Sequence, residues 1–244
     1  GKSMLAARLP SILPPLGPRE LLEVSMIQSV AGTLKDGALS NRRPFRAPHH
    51  SASMAALVGG GIGARPGEVS LAHGGVLFLD ELPEFNGQVL DSLRQPLETG
   101  TVMIARANHR VTYPARFQLV AAMNPCRCGQ ATEPGFACRR GPNERCVAQY
   151  QARLSGPLLD RIDIQLEVPA VPFRDLSASR PGTSSETMRQ AVLAARERQV
   201  ARFGTSPTRC NARMSSRLIR EHCALEPAAV ELLKGAVANL GLSA

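Results

Sequence analysis

Gly74-Gly75-Val76-Leu77-Phe78-Leu79-Asp80-Glu81 is the stretch on which the fold turns. Four consecutive apolar residues without alternation read as a strand buried on both faces, the pattern of a parallel sheet. The strand ends in two adjacent acids, and the carboxyl ends of parallel strands are where open α/β sheets keep their ligands. Phe117 to Ala122 is a second such run, stopping at Asn124-Pro125, and Ile162 to Val168 reads as a third. Between them Val89, Leu90, Leu93 and Leu97 recur at helical spacing up to Gly100, with Pro96 expected to kink or end that helix. Strands alternating with helices predict an α/β fold built on a parallel sheet flanked by helices.

The flanks are set by turn chemistry. Ser3 to Leu9 suits a short helix. Pro18 suits the first position of a second helix reaching Ala31, with Leu21, Leu22, Ile27 and Val30 as core positions and Gly32 as its end. Asn41 to Gly74 is irregular, carrying Arg42, Arg43, Arg46, His49-His50 and Gly59-Gly60-Gly61, and so long a loop reads as functional or disordered. Thr101–Ile104 and Arg110–Tyr113 alternate like two strands joined at Ala107-Asn108-His109. Pro172 to Gly182 reads as a linker. Thr183-Ser184-Ser185-Glu186 then has the form of a capping box before a helix to Phe203, and helical stretches near Ser215–His222 and Pro227–Leu240 complete an all-helical tail.

Composition narrows the function classes. With 43% hydrophobic and 20% charged residues, the 244-residue chain reads as a folded globular protein. No apolar run approaches the roughly 18–20 residues that cross a bilayer, so no membrane role is expected and the cytoplasm is the expected location. A net charge of +9 suits polyanionic partners, nucleic acid first, or solubility alone. Aromatic residues at 4% argue against a base-stacking platform.

Gly1-Lys2-Ser3 is the last third of the phosphate-loop pattern G-x-x-x-x-G-K-[ST], in which the Lys reaches outer phosphates and the hydroxyl serves Mg²⁺. The tripeptide alone carries little information, and its value depends on the acids and amide farther along the chain. Asp80 is then expected to hold Mg²⁺ through water, Glu81 to polarise an attacking water, and Asn124 to orient that water. Two solvated acids at a strand end are the competing reading.

Cys126, Cys128, Cys138 and Cys146 give four thiols within one loop, enough for tetrahedral Zn²⁺. The C-x-C spacing is less usual than C-x-x-C, and free thiols or a redox role remain alternatives. Arg127, Arg139, Arg140 and Arg145 favour thiolates. For His49-His50 no third metal ligand is evident, which favours a structural or DNA-contact role.

The order of G-K-S, RPGEVSLAH at 65–73, GGVLFLDELPEF, LRQPLETG, MNPCRCG and LSGPLLDRID resembles the ComM/YifB group, the magnesium-chelatase-like branch of the AAA+ ATPases. The likeness runs from Gly1 to about Pro169. It implies an AAA+ ATPase core over 1–172, a linker over 173–182 and a helical lid over 183–244, with ATP and Mg²⁺ as cofactors. It implies that Gly1, Lys2, Ser3 and Asp80 bind the nucleotide and that Arg161 is an arginine finger, with Arg153 the second candidate, serving a neighbour in a ring that is usually a hexamer. It also matches 101–113 to a pre-sensor hairpin facing the ring pore, where Arg106, His109 and Arg110 would meet DNA.

Both ends read as cut through structure, so a fragment is expected, lacking the start of the phosphate loop and the end of the lid. These residues leave three functions in view. They are a motor remodelling or branch-migrating DNA in recombination or natural transformation, the ATPase subunit of a magnesium-chelatase-type metal insertion complex, and a nucleotide-dependent DNA-binding scaffold that does not hydrolyse.

Overall fold

The computed structural model describes residues 1–34, 37–61, 63–106, 109–129, 131, 143–169, 171, 182–206 and 210–240. The chain forms two compact units, Gly1–Thr183 and Ser184–Ala244.

The first unit is α/β. Its described helices are α1 (Lys2–Ala6), α2 (Leu9–Ile12), α3 (Pro18–Ala31), α4 (Met54–Val58), α5 (Glu68–Leu71), α6 (Gly87–Asp91), α7 (Arg94–Thr99), α8 (Asn143–Gln151) and α9 (Gly156–Leu159). Its strands are β1 (Phe45–Arg46), β2 (Gly59–Gly60), β3 (Arg65–Pro66), β4 (Val76–Leu79), β5 (Thr101–Arg106), β6 (His109–Pro114) and β7 (Gln118–Ala121). The central sheet is parallel in the order β1-β4-β7, with Phe45 opposite Val76 and Val76 opposite Gln118. β4 is the middle strand, and all four of its residues are buried. That is why its run is apolar without alternation.

The two glycines before β4 have separate jobs. Gly74 adopts φ 72°, a left-handed turn that glycine enters without a Cβ penalty. At Gly75 a Cβ would stand 2.0 Å from the Pro44 carbonyl oxygen, so only hydrogen allows β1 to enter this close beside β4.

The main core joins Leu77, Leu79, Val89, Leu90, Leu93 and Leu158 with Leu57, Val69, Val102 and Ile104. Fully burying side chains of this size contributes roughly 1.5–3 kcal/mol each. The expected helix up to Gly100 is two helices, because the chain breaks at Ser92-Leu93 and α7 restarts with Pro96 inside its first turn, where a missing N–H is harmless. β5 and β6 form an antiparallel hairpin pairing Thr101 with Pro114 through to Arg106 with His109.

Three expectations are corrected. Leu22 and Val30 of α3 are 60% and 55% exposed, while Val24, Ser25 and Ile27 are buried. Apolar residues surround this helix, so its sequence does not define which face turns inward. Ile162–Val168 is not a strand: Ile164, Leu166 and Val168 are exposed, and no ladder to this segment exists among the described residues. Alternation makes a strand only where an edge offers backbone partners. The irregular stretch 41–74 contains β1, α4, β2, β3 and α5 rather than a structureless loop.

The second unit is helical: α10 (Ser185–Phe203), α11 (Ser216–His222) and α12 (Pro227–Leu240). α10 is capped by the Ser184 hydroxyl accepting from the Thr187 N–H, one residue later than the expected Thr183 box. Phe203 and Leu218 are its buried apolar residues among those described, and the Phe203 ring meets His222 edge-on at 5.8 Å. No helix among the described residues is long and apolar enough to cross a membrane.

Candidate functional site

The site forms at the carboxyl end of β4. Asp80 and Glu81 leave the sheet there, and Leu82 is held by its N–H donating to the Ala122 carbonyl at 3.0 Å. Ala6 packs with Phe78 and Ala122, with Phe45 and Val120 against them, which docks α1 on this end of the sheet. That contact carries Lys2 and Ser3 to the acids. The Ser3 hydroxyl donates to Asp80 Oδ2, and Lys2 Nζ donates to Asn124 Oδ1 at 3.1 Å. Residues from three separated stretches thus meet, and they are the ones singled out as Lys2, Ser3, Asp80, Glu81 and Asn124. Gly1 is the N-cap of α1.

Glu81 is one of two non-glycine residues with positive φ among those described, at 52°, the other being Ala64. A left-handed backbone at a side chain of this kind costs roughly 1–2 kcal/mol and persists only where its surroundings hold it. The Glu81 N–H donates to Asp80 Oδ1 at 3.0 Å, and the Glu84 N–H donates to the Glu81 carbonyl at 2.8 Å. The Glu81 carboxylate faces His50.

His49 and His50 are not legible in the sequence as part of this site, yet they line the same cleft of about 370 Å³ with Ser3, Phe78, Asp80 and Glu81. Their rings are tilted by 36° with centroids 4.0 Å apart, and His50 Nδ1 lies 3.4 Å from Glu81 Oε2. The register explains it. Continuing the parallel pairing of Arg46 with Leu77 four residues onward brings His50 level with Glu81.

Arg161 stands apart from this cluster. It pairs with Glu98 and donates to the Pro157 carbonyl, while its buried Nε has no partner. Arg153 bonds Glu84 at 3.0 Å. Arg110 is exposed on β6, and Arg106 and His109 pair through their backbones at the end of the hairpin. Ala107 and Asn108 between them lie outside the described residues, as does Cys138. Cys126, Cys128 and Cys146 come together, with sulfur atoms all within 4.8 Å of one another.

The donor chemistry of the cleft is of a kind that could hold phosphate and magnesium. A hydroxyl and a carboxylate in contact supply hard oxygen ligands of the kind Mg²⁺ takes. Among the described residues the Lys2 ammonium is hydrogen-bonded to a neutral amide oxygen, and such a cation could pair with an anion. The second acid, Glu81, faces His50.

Two family models match the chain, magnesium chelatase subunit ChlI over residues 1–176 and the C-terminal part of the same subunit over 182–244. The protein YifB of Escherichia coli K12 is 47% identical over the whole of this chain, and competence protein ComM of Haemophilus influenzae likewise 47%. This chain belongs to the ComM/YifB family of magnesium-chelatase-like AAA+ proteins. A protein of Mycobacterium tuberculosis strain H37Rv is 49% identical over 90% of the chain and 43% of its own length. The chain spans about half the length of these relatives, 47% of YifB and 46% of ComM. ComM/YifB membership accounts for the α/β core with its parallel sheet and for the helical part after it.

Proposed function

We propose that this chain is the ATP-hydrolysing motor of a DNA-remodelling protein, working in recombination or natural transformation. The observation that carries the proposal is the meeting of Lys2, Ser3, Asp80, Glu81 and Asn124 at the carboxyl end of β4. The Lys2 ammonium pairs with the outer phosphate oxygens of ATP, and Gly1 leads the chain into that contact. Ser3 and Asp80 hold Mg²⁺, which when bound neutralises charge on the phosphates. Glu81 accepts a hydrogen bond from the attacking water and polarises it, and Asn124 orients the same water. His50 holds the Glu81 carboxylate in reserve until a water competes for it.

Arg161 acts in trans, reaching the phosphate bound by a neighbouring subunit of a hexameric ring, with Glu98 holding it between turnovers. The second unit is the helical lid domain of such a motor, following the 1–172 core and the linker at 173–182. The hairpin β5–β6 offers Arg106, His109 and Arg110 to DNA, and the net charge of +9 and the name of the Haemophilus relative support that partner. The cytoplasm is the compartment this function requires.

The test is ATP turnover by the intact protein with and without single-stranded and branched DNA. DNA stimulation that vanishes in Glu81→Gln and Arg161→Ala supports a DNA motor with shared sites. Turnover indifferent to DNA favours instead the ATPase subunit of a metal insertion complex, a reading that the family description itself supports. DNA binding without any turnover leaves the non-hydrolysing scaffold.

A further inference from the structure

We propose that Cys126, Cys128 and Cys146 form a zinc site that ties the segment following β7 to the first turn of α8. It stands independently of the nucleotide reading. The three sulfur atoms lie within 4.8 Å of one another, and Cys126 and Cys128 are 3.2 Å apart. Tetrahedral zinc with Zn–S bonds near 2.3 Å sets its sulfurs about 3.8 Å apart. The Cys126–Cys128 pair is within about 1 Å of that spacing and no sulfur lies beyond 4.8 Å of the other two, so metal binding asks for side-chain adjustments alone.

Burial points the same way. Cys126 is 0% exposed and Cys146 6%, in a small cluster separate from the main core. Its other members among the described residues are Cys128, Ala131 and Val147. One alanine and one valine give little apolar area to hold a loop against a helix, and a shared ion supplies the missing tie. A disulfide between Cys126 and Cys128 would leave the third buried thiol odd. Thiolates select a soft or borderline ion such as Zn²⁺ over Mg²⁺, so this site is chemically distinct from the Ser3–Asp80 pair.

The experiment is metal analysis of the intact protein purified from zinc-replete medium, followed by zinc removal and Co²⁺ titration. About one zinc per chain is expected, with a thiolate-to-cobalt charge-transfer band and the intense visible bands of tetrahedral Co²⁺ on substitution. Cys126→Ser and Cys146→Ser should lose both signals, and Cys223→Ser, at an exposed cysteine of the second unit, should keep them. Because serine at buried Cys126 could itself disturb the loop, thiol titration of the wild type gives a second reading: three thiols should become reactive only when zinc is stripped. Protein that retains no zinc and gives no charge-transfer band would overturn the proposal. So would thiols equally reactive with and without zinc, or a Cys126–Cys128 disulfide found by mass spectrometry.

Discussion

The two ends of β4 are built on opposite principles. At its amino end polar groups are deeply placed and satisfied. Arg43 donates to the Pro14 and Gly74 carbonyls at 2.6 Å each and to both oxygens of Glu20. His73, 3% exposed, accepts from the Arg116 N–H at its Nδ1 and meets Glu23 through its Nε2, both at 3.0 Å. At the carboxyl end Glu81 is exposed and carries strained backbone, and the described partner of the Lys2 ammonium is the Asn124 amide oxygen. The carboxyl-end groups are paired with one another, Ser3 with Asp80, Lys2 with Asn124 and Glu81 with His50, but they line a cleft rather than the packed interior. The difference separates groups that hold the sheet together from groups kept available for a ligand.

The largest effect expected at the carboxyl end is on chemistry. Glu81→Gln should slow ATP turnover by roughly 10²–10⁴-fold, the range of a lost general base, with the thermal midpoint nearly unchanged. The amino end should answer in the reverse sense. Gly75→Ala drives a methyl into the Pro44 carbonyl and should cost about 3 kcal/mol or more by chemical denaturation, since backbone on both sides must move. Arg43→Ala should cost about 2 kcal/mol, mostly by leaving two carbonyls and the Glu20 carboxylate short of a donor. A sharper contrast comes from Glu81→Gly, which releases the left-handed strain and should raise stability by about 1 kcal/mol while abolishing turnover.

The smallest effect is with pH, at the amino end. Burial lowers the pKa of His73 against the opposing pull of Glu23, and the hydrogen bond from His73 lowers that of Glu23. The two shifts disagree if taken as an ion pair. The geometry decides for a neutral ring, because Nδ1 must accept from Arg116 and a proton there would break that bond. The unfolded chain therefore binds a proton that the folded chain refuses. Stability should be full above about pH 6.5 and fall below it, with the Glu23 contribution lost further down, below its ordinary value of 4.5. Urea midpoints at pH 7.5 and 5.5 should differ in the wild type and converge in His73→Gln.

How much of this is legible in the sequence turns on what each feature depends on. β4 and its two acids are readable because four apolar residues in a row have few other uses. The hairpin at 101–114 and the helices after 184 are readable from alternation and caps. His50 is not, because its place beside Glu81 depends on the register of a two-residue strand that leaves no periodic signal. The Phe-Arg pair two residues before Pro48 is the available hint. Leu22 and Val30 mislead because α3 is apolar on several sides, and 162–168 because alternation does not reveal whether an edge is present to pair with.

The most direct test of a nucleotide site at the carboxyl end of β4 is MgATP binding and turnover measured on the same preparations of intact wild type, Lys2→Ala and Glu81→Gln. The account predicts that Glu81→Gln binds MgATP within about 2-fold of wild type but turns it over at least about 100-fold more slowly, and that Lys2→Ala loses binding. Wild-type turnover in Glu81→Gln, or unchanged binding in Lys2→Ala, would contradict it.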